Sequence, residues 1–333
     1  MLIIQSYATA VILLIITMLC WGSWANTQKL ATQKWPFQLF YWDYTLGIVL
    51  LSLVFGLTIG SSGELGRGFW EDLQQAEGSS LRSAFIGGIV FNLANLLLVA
   101  AIDIAGMAVA FPVGIGLALV LGVIVNYVAV PVGNPWMLFG GVLLITVAIV
   151  LDAMAYRQKE QGKSVSNEGL WLSIIAGVLM GFFFRFVAAS VATDFEYPQA
   201  GLMTPYTAVF VFAVGIFLSN FIWNTIFMYR PLKGERVTFS DYFSQGSTRL
   251  HLIGILGGVI WCVGMSFSML ASEQAGFAIS YGLGQGATMV AAAWGVFVWR
   301  EFAEAPSKTQ RLIYAMFAFF VIGLALVIAA RVV

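Results

Sequence analysis

The chain is 333 residues long, 60% hydrophobic and only 10% charged, with no net charge and a mean hydropathy of +0.90. Soluble domains carry roughly 25% charged residues, so this chain has too few polar side chains to coat a water-facing surface, and the bilayer is its expected solvent. A neutral chain leaves no electrostatic footprint for nucleic acid, and one histidine with two cysteines in apolar runs builds neither a usual zinc site nor a disulfide framework.

A hydrocarbon core about 30 Å thick takes roughly 20 apolar residues of helix. Ten stretches meet that length, near 5–31, 36–59, 82–102, 105–129, 136–156, 169–192, 200–228, 249–271, 275–299 and 309–331. The expected fold is therefore all-α and integral to the membrane. The apolar run Val11–Cys20 lacks a basic flank and continues into Trp21-Gly22-Ser23-Trp24, so it reads as a first span rather than a cleaved signal. On this span Gly22, Asn26 and Lys29 share a face, with Trp21, Trp24 and Gln28 on an adjoining strip. Trp24, among small and polar residues, reads as a stacking surface for a solute; Trp35 and Trp42 fit an interfacial belt.

Asp43 lies about two turns into the second span. Counting inward from the Trp35-Pro36 turn brings Lys29 and Asp43 to similar depth, so an ion pair between them is expected. Two readings follow. Lys29 snorkels to the headgroups while Asp43 balances it, or Asp43 is a protonatable carboxylate that couples transport to an ion.

The third span aligns Gly88, Asn92 and Asn95. Buried amides serve either as glue between helices or as donors and acceptors for a neutral solute. The fourth span contains Phe111-Pro112, where Pro112 removes a backbone hydrogen bond. Gly162-Lys163-Ser164 imitates the end of a phosphate-binding loop, but the residue five positions before Gly162 is Arg157 rather than glycine, which argues against ATP hydrolysis. In the sixth span Arg185 sits within Phe182–Phe186. It is a gating or charge-partner candidate that stacks on aromatic rings, pairs with Asp43 or Asp194, or snorkels. The ninth span aligns Tyr281, Gln285 and Thr288, while glycines at 282, 284 and 286 weaken its helix.

A shift of 170 residues lays spans three and four on spans eight and nine without a gap. Gly87-Gly88 meets Gly257-Gly258, Asp103 meets Glu273, and Gly114 and Gly116 meet Gly284 and Gly286. The matched glycines mark either duplication or close helix packing, and the ungapped register favours duplication. The halves would be 1–160 and 161–333 of one membrane domain. Five spans per half is odd, so the second copy is expected upside down: two inverted five-helix repeats, with a solute held between them. Spans four and nine, with Pro112 and Gly284 as breaks, are the expected moving helices.

Eleven basic residues flank the loops after spans one, five, seven and nine: Lys34, Arg157, Lys159, Lys163, Arg230, Lys233, Arg236, Arg249, Arg300, Lys308 and Arg311. Arg67, Arg82 and Arg331 lie on the other side. The positive-inside rule then puts both termini on the non-cytoplasmic side of the cell (inner) membrane.

The stretch Trp21-Gly22-Ser23-Trp24-Ala25-Asn26-Thr27-Gln28-Lys29-Leu30, followed by Trp35-Pro36-Phe37-Gln38-Leu39-Phe40-Tyr41-Trp42-Asp43-Tyr44, resembles the opening of the ureide permeases and their bacterial relatives. These belong to the drug/metabolite transporter superfamily, near its glucose/ribose and rhamnose porters. The resemblance implies proton-driven movement of small polar solutes such as allantoin, uracil or xanthine, or a monosaccharide among the neighbouring porters. Plant members carry a longer central loop with a nucleotide-binding-like motif; here that loop is short and the motif incomplete.

The expected function is a secondary transporter, not an enzyme, moving a small neutral solute with protons (sodium being the other ion considered) by alternating access. Trp24, Tyr281 and Trp261 would stack on a flat ring, and Asn92, Asn95, Gln285 and Thr288 would bond its N–H and C=O groups. Export of amphipathic compounds is the third reading. The protein is expected to act as a monomer or homodimer without cofactor, metal or catalytic residues.

Overall fold

Serine, threonine and proline mark where the helices start. Ser6, Ser166 and Ser247 accept backbone N–H groups at the starts of the helices Tyr7–Ser23 (α1), Asn167–Ala188 and Thr248–Ala275. Pro36 and Pro306 stand just before the helices Phe37–Leu57 and Ser307–Ala329, and Pro135 and Pro205 open Pro135–Lys159 and Pro205–Tyr229. The computed structural model describes residues 1–31, 35–159, 166–232 and 234–333. Gly162-Lys163-Ser164, and Lys34, Lys163 and Lys233 of the charge count, lie outside them.

In chain order the helices are α1 with its continuation α2 (Ala25–Ala31), α3 (Phe37–Leu57), the short α4 (Phe69–Gln75), α5 (Gly78–Ala105), α6 (Met107–Ala129) and α7 (Pro135–Lys159). There follow α8 (Asn167–Ala188), α9 (Pro205–Tyr229), the short α10 (Phe239–Gln245), α11 (Thr248–Ala275), α12 (Phe277–Gly284), α13 (Ala287–Ala293) and α14 (Ser307–Ala329). A single π turn, Trp294–Val298, extends α13. Among the described residues the only β pairing is an isolated bridge between Val191 and Met203.

Nine helical segments among the described residues are long and apolar enough to cross a bilayer, α1 and α2 counting together as Tyr7–Ala31. The tenth expected span, 275–299, is not a continuous helix but the sequence α12, α13 and π turn. The cause is local. Around Gly284–Gly286 the N–H groups of Gly286, Thr288 and Met289 bond three residues back instead of four, tightening and ending the α-helical ladder. Pro112 behaves differently: α6 runs unbroken through it. The expectation of two matched broken helices therefore holds only for the later one.

The boundaries repeat at the sequence's own spacing. A 170-residue shift carries α4 onto α10 and α5 onto α11 at both ends. It also carries Gly106 (φ 80°) onto Gly276 (φ 83°). These two glycines allow α5 to reverse into α6, and α11 into α12, through one residue at positive φ, where a Cβ would be strained.

Helices approach through small residues, as expected where lipid supplies no hydrophobic drive between them. Gly88 on α5 abuts the Phe212 carbonyl of α9, and Gly258 on α11 abuts the Tyr44 carbonyl of α3. Elsewhere α5 packs on α8, α11 on α1, and α7 on α14. Successive spans alternate in direction, so the bundle has two faces. Tyr7 Oη donates to Ile328 O at 2.6 Å, holding both ends of the chain on one of them, the terminal face. Arg157, Arg230, Arg236, Arg249, Arg300, Lys308 and Arg311 gather toward the other, basic face.

Candidate functional site

A chamber of about 350 Å³ lies inside the bundle, between α1–α2, α5, α6, α8, α11 and the broken α12–α13. Its floor is aromatic. Trp21 stacks on Trp261 with ring centroids 5.8 Å apart and planes 15° from parallel. Phe91 lies 4.5 Å from Trp261 and 5.0 Å from Phe183. Trp21 is fixed by its indole N–H, which donates to Trp261 O at 3.2 Å. The walls rise toward the basic face through Trp24, Asn95, Gln285 and Thr288, and Gln28 and Asp103 stand at the mouth.

The polar groups in the wall are few and directed. Asn95 is buried and its Nδ2 donates to Tyr41 Oη at 3.2 Å. Thr288 Oγ1 donates to Gln285 O at 2.9 Å, the same carbonyl that accepts the Thr288 N–H at the helix break. The Gln285 amide itself has no hydrogen-bond partner among the described residues and faces the chamber. No lysine or arginine lines the chamber among the described residues. Aromatic faces with amide donors and acceptors suit a flat, uncharged solute.

Of the sequence-derived site, Trp24, Asn95, Gln285 and Thr288 come together here, and Gly284 supports it from behind: a Cβ there would lie 2.6 Å from the Trp21 ring. Two expected members lie elsewhere. Asn92 Nδ2 donates to Ile216 O at 3.1 Å and Ser219 Oγ at 2.9 Å, tying α5 to α9 outside the chamber. Tyr281 is fully buried and donates to Ala118 O and Met180 O at 3.2 and 3.1 Å, clamping α12 to α6 and α8. Pro112 is next to two lining residues, Phe111 and Ile115, without lining the chamber itself.

The expected Lys29–Asp43 pair does not form. Lys29 Nζ bonds Glu301 Oε1 at 2.8 Å and lies 4.2 Å from the Trp299 ring centroid. Helix α2 turns it toward the loop before α14, away from α3. Asp43, on the inner side of α3, instead meets His251 Nδ1 at 3.0 Å and accepts from Tyr242 Oη at 2.5 Å. Burial, reinforced by that donation, pushes the Tyr242 phenol up, so it stays a donor at any working pH. Arg185 is half-buried and pairs with neither Asp43 nor Asp194; Asp194 Oδ1 instead accepts the backbone N–H groups of Glu196 and Tyr197. Trp35 and Trp42, expected in a lipid-facing belt, are buried in protein, Trp35 completely.

The terminal face carries a dense polar network. Arg67 Nε bonds Asp72 Oδ1 at 2.9 Å and its other nitrogens bond the carbonyls of Pro198, Gln199 and Leu202. Asp72 Oδ2 accepts the Thr204 N–H at 2.7 Å. Sequence reasoning singled out neither this network nor the chamber's Phe91, Phe183 and Asp103. Asp103 was visible only as the register mate of Glu273, and the two phenylalanines are two among 27.

A bundle of membrane-crossing helices around a solute-sized chamber defines a multi-pass membrane protein of the transporter class. The ureide permease family model matches residues 40–167 and 159–330, and the chain belongs to that family. It is accordingly a transporter and not an enzyme. The chain is 23% identical to ureide permease 1 of Arabidopsis thaliana, over 99% of each chain. It is 23% and 22% identical to ureide permeases 4 and 2 of the same plant, again over 99% of each. The alignment with ureide permease 1 spans 388 positions against 333 residues here, so that relative carries segments this chain lacks. A solved crystal structure shares the fold, with a TM-score of 0.61 and 17% identity over 97% of this chain and 98% of that one.

Proposed function

We propose that the protein takes up a small, neutral, flat heterocycle, a ureide or nucleobase such as allantoin or uracil, by proton-coupled alternating access. The observation that carries this reading is the chamber: stacked indoles below, with Asn95, Gln285 and Thr288 placed to meet alternating N–H and C=O groups. Membership of the ureide permease family supports the solute class.

The two halves, 1–160 and 161–333, are read as inverted five-helix repeats, the interrupted α12–α13 standing as a tenth crossing. The coincident boundaries of α4 and α10 and of α5 and α11 support this. Both termini are assigned to the non-cytoplasmic side of the inner membrane, from the basic residues on the opposite face. The chamber reaches toward that basic face, so the present conformation is read as inward-facing, with the Arg67–Asp72 network as the outer seal. In this scheme Asp43 is the coupling carboxylate, and Lys29, held by Glu301, stabilises the inner rim. Arg185 and the α12–α13 break would shift as the bundle rocks.

A thermal-shift screen of purified protein against ureides, nucleobases and monosaccharides tests the solute class, since a ligand that binds the folded state raises its melting temperature by mass action. Stabilisation by allantoin or uracil is the expected outcome. Stabilisation by a monosaccharide alone would move the protein to the sugar porters.

A further inference from the structure

The chain's only histidine lies outside the chamber, near the start of α11, against a buried carboxylate. His251 Nδ1 is 3.0 Å from both oxygens of Asp43, and Tyr242 Oη donates to one of them at 2.5 Å. The three side chains come from three elements: α11, α3 and the basic-face helix α10. Trp35 walls the group in, edge-on to His251 at 5.2 Å and 5.8 Å from Tyr242. The Asp43 side chain is 2% exposed and that of His251 27%, so the imidazole is the carboxylate's connection to water. Glycines make the room: a Cβ at Gly254 would strike Asp43, and one at Gly246 would strike His251 Nε2.

Other charged groups nearby are turned away. Asp241, on the same short helix, bonds Thr238 and Gln245; Arg236 lies over Tyr229; Lys29 holds Glu301; Arg249 is exposed. The matching helix on the terminal face is anchored by different chemistry. The 170-residue register puts Asp72 of α4 where α10 has Tyr242, and Asp72 is held by Arg67 and the Thr204 N–H. A guanidinium keeps its charge at all working pH, whereas an imidazole changes charge in the physiological range. One anchor is fixed and the other is titratable.

We propose that Asp43, His251 and Tyr242 form a proton-binding site, separate from the solute chamber, that anchors α10 at the basic face and couples solute movement to a proton gradient. The proposal rests on the transport reading and names its coupling site. With His251 neutral, Nδ1–H and Tyr242 O–H both donate to the Asp43 carboxylate, and the cluster carries one net negative charge. One proton from the aqueous phase binds at Nε2, giving an imidazolium–carboxylate pair of zero net charge, and no heavy-atom bond changes. The neutral cluster holds α10 against α3 and α11. Loss of the proton leaves a buried anion, which is costly in a low-dielectric setting and loosens that contact. The proton belongs to the pair rather than to either residue.

The single histidine makes the test direct. In full-length, tag-free protein labelled with isotopic histidine, every imidazole NMR signal is His251's. In solute-free protein, the imidazole titration curve is expected to be displaced by more than about half a pH unit in Asp43→Asn and in Tyr242→Phe. In proteoliposomes, uptake of labelled uracil or allantoin is expected to change about tenfold between acidic and alkaline external pH for the wild type, and less than about twofold for His251→Gln. An imidazole curve identical in wild type and both variants overturns the proposal, as does undiminished pH dependence in His251→Gln. If Asp43→Asn does not fold, Tyr242→Phe, which removes one hydroxyl from a half-exposed short helix, carries the same readout. The titration arm contains no solute, so it stands or falls independently of whether ureides are carried.

Discussion

Asn92 and Asn95 lie three residues apart on α5, and their amides have different uses. Asn92 spends both donor hydrogens on α9, whereas Asn95 borders the chamber and donates to Tyr41 Oη. Asn92→Ala should therefore cost about 0.6–1.7 kcal/mol of stability, read as a lower melting temperature, with solute affinity unchanged. Gln285→Ala should do the reverse: affinity weakened about five- to thirtyfold, for about 1–2 kcal/mol of lost hydrogen bonding, at unchanged melting temperature. Titrating solute against both variants by thermal shift separates the two roles. The sequence carried the polar stripe on α5 but not this division, because spacing fixes a helix face and not what stands opposite it. For the same reason Lys29 and Asp43, which residue counting from the Trp35-Pro36 turn puts at similar depth, point to different partners: α2 carries Lys29 to Glu301, a residue 272 positions away.

At the scale of elements, the helix lengths and turns were legible because apolar runs and their Ser, Pro and Gly punctuation are local signals. The glycines at 282, 284 and 286 correctly signalled a break, whereas Pro112 lies six residues into α6, which continues past it. The short α4 and α10 were missed. Each has seven residues, too few for a periodic pattern to stand out, and only the repeat register relates them. Gly284→Leu should drive Trp21 off its stack with Trp261 and abolish solute-induced stabilisation while leaving membrane insertion intact, since the continuous spans are untouched. Gly106→Ala should destabilise by about 1–3 kcal/mol, the cost of placing a Cβ at φ 80°, ψ 164°, a region essentially reserved for glycine. Chemical denaturation in detergent reads that cost.

For the whole molecule, composition alone demanded a bilayer, and the 170-residue register anticipated the matching boundaries of α5 and α11. What composition could not convey was which loops would be tied together. The Arg67 network, the outer seal in the proposed scheme, ties its loop to the 198–202 segment through backbone carbonyls that no side-chain pattern encodes. Arg67→Gln should unlock the terminal face. A cysteine introduced at Leu202, beside the network, should then react faster with an impermeant maleimide than in the Arg67 parent, and an equal rate would mean the network seals nothing.

The proposed solute class rests on the aromatic and amide chamber. Uptake of radiolabelled allantoin and uracil into proteoliposomes, under an inward proton gradient, tests it most directly. Accumulation of one or both is expected, competed by the other, collapsed by a protonophore and diminished in Gln285→Ala. Accumulation of neither, or equal uptake by wild type and Gln285→Ala, would contradict it.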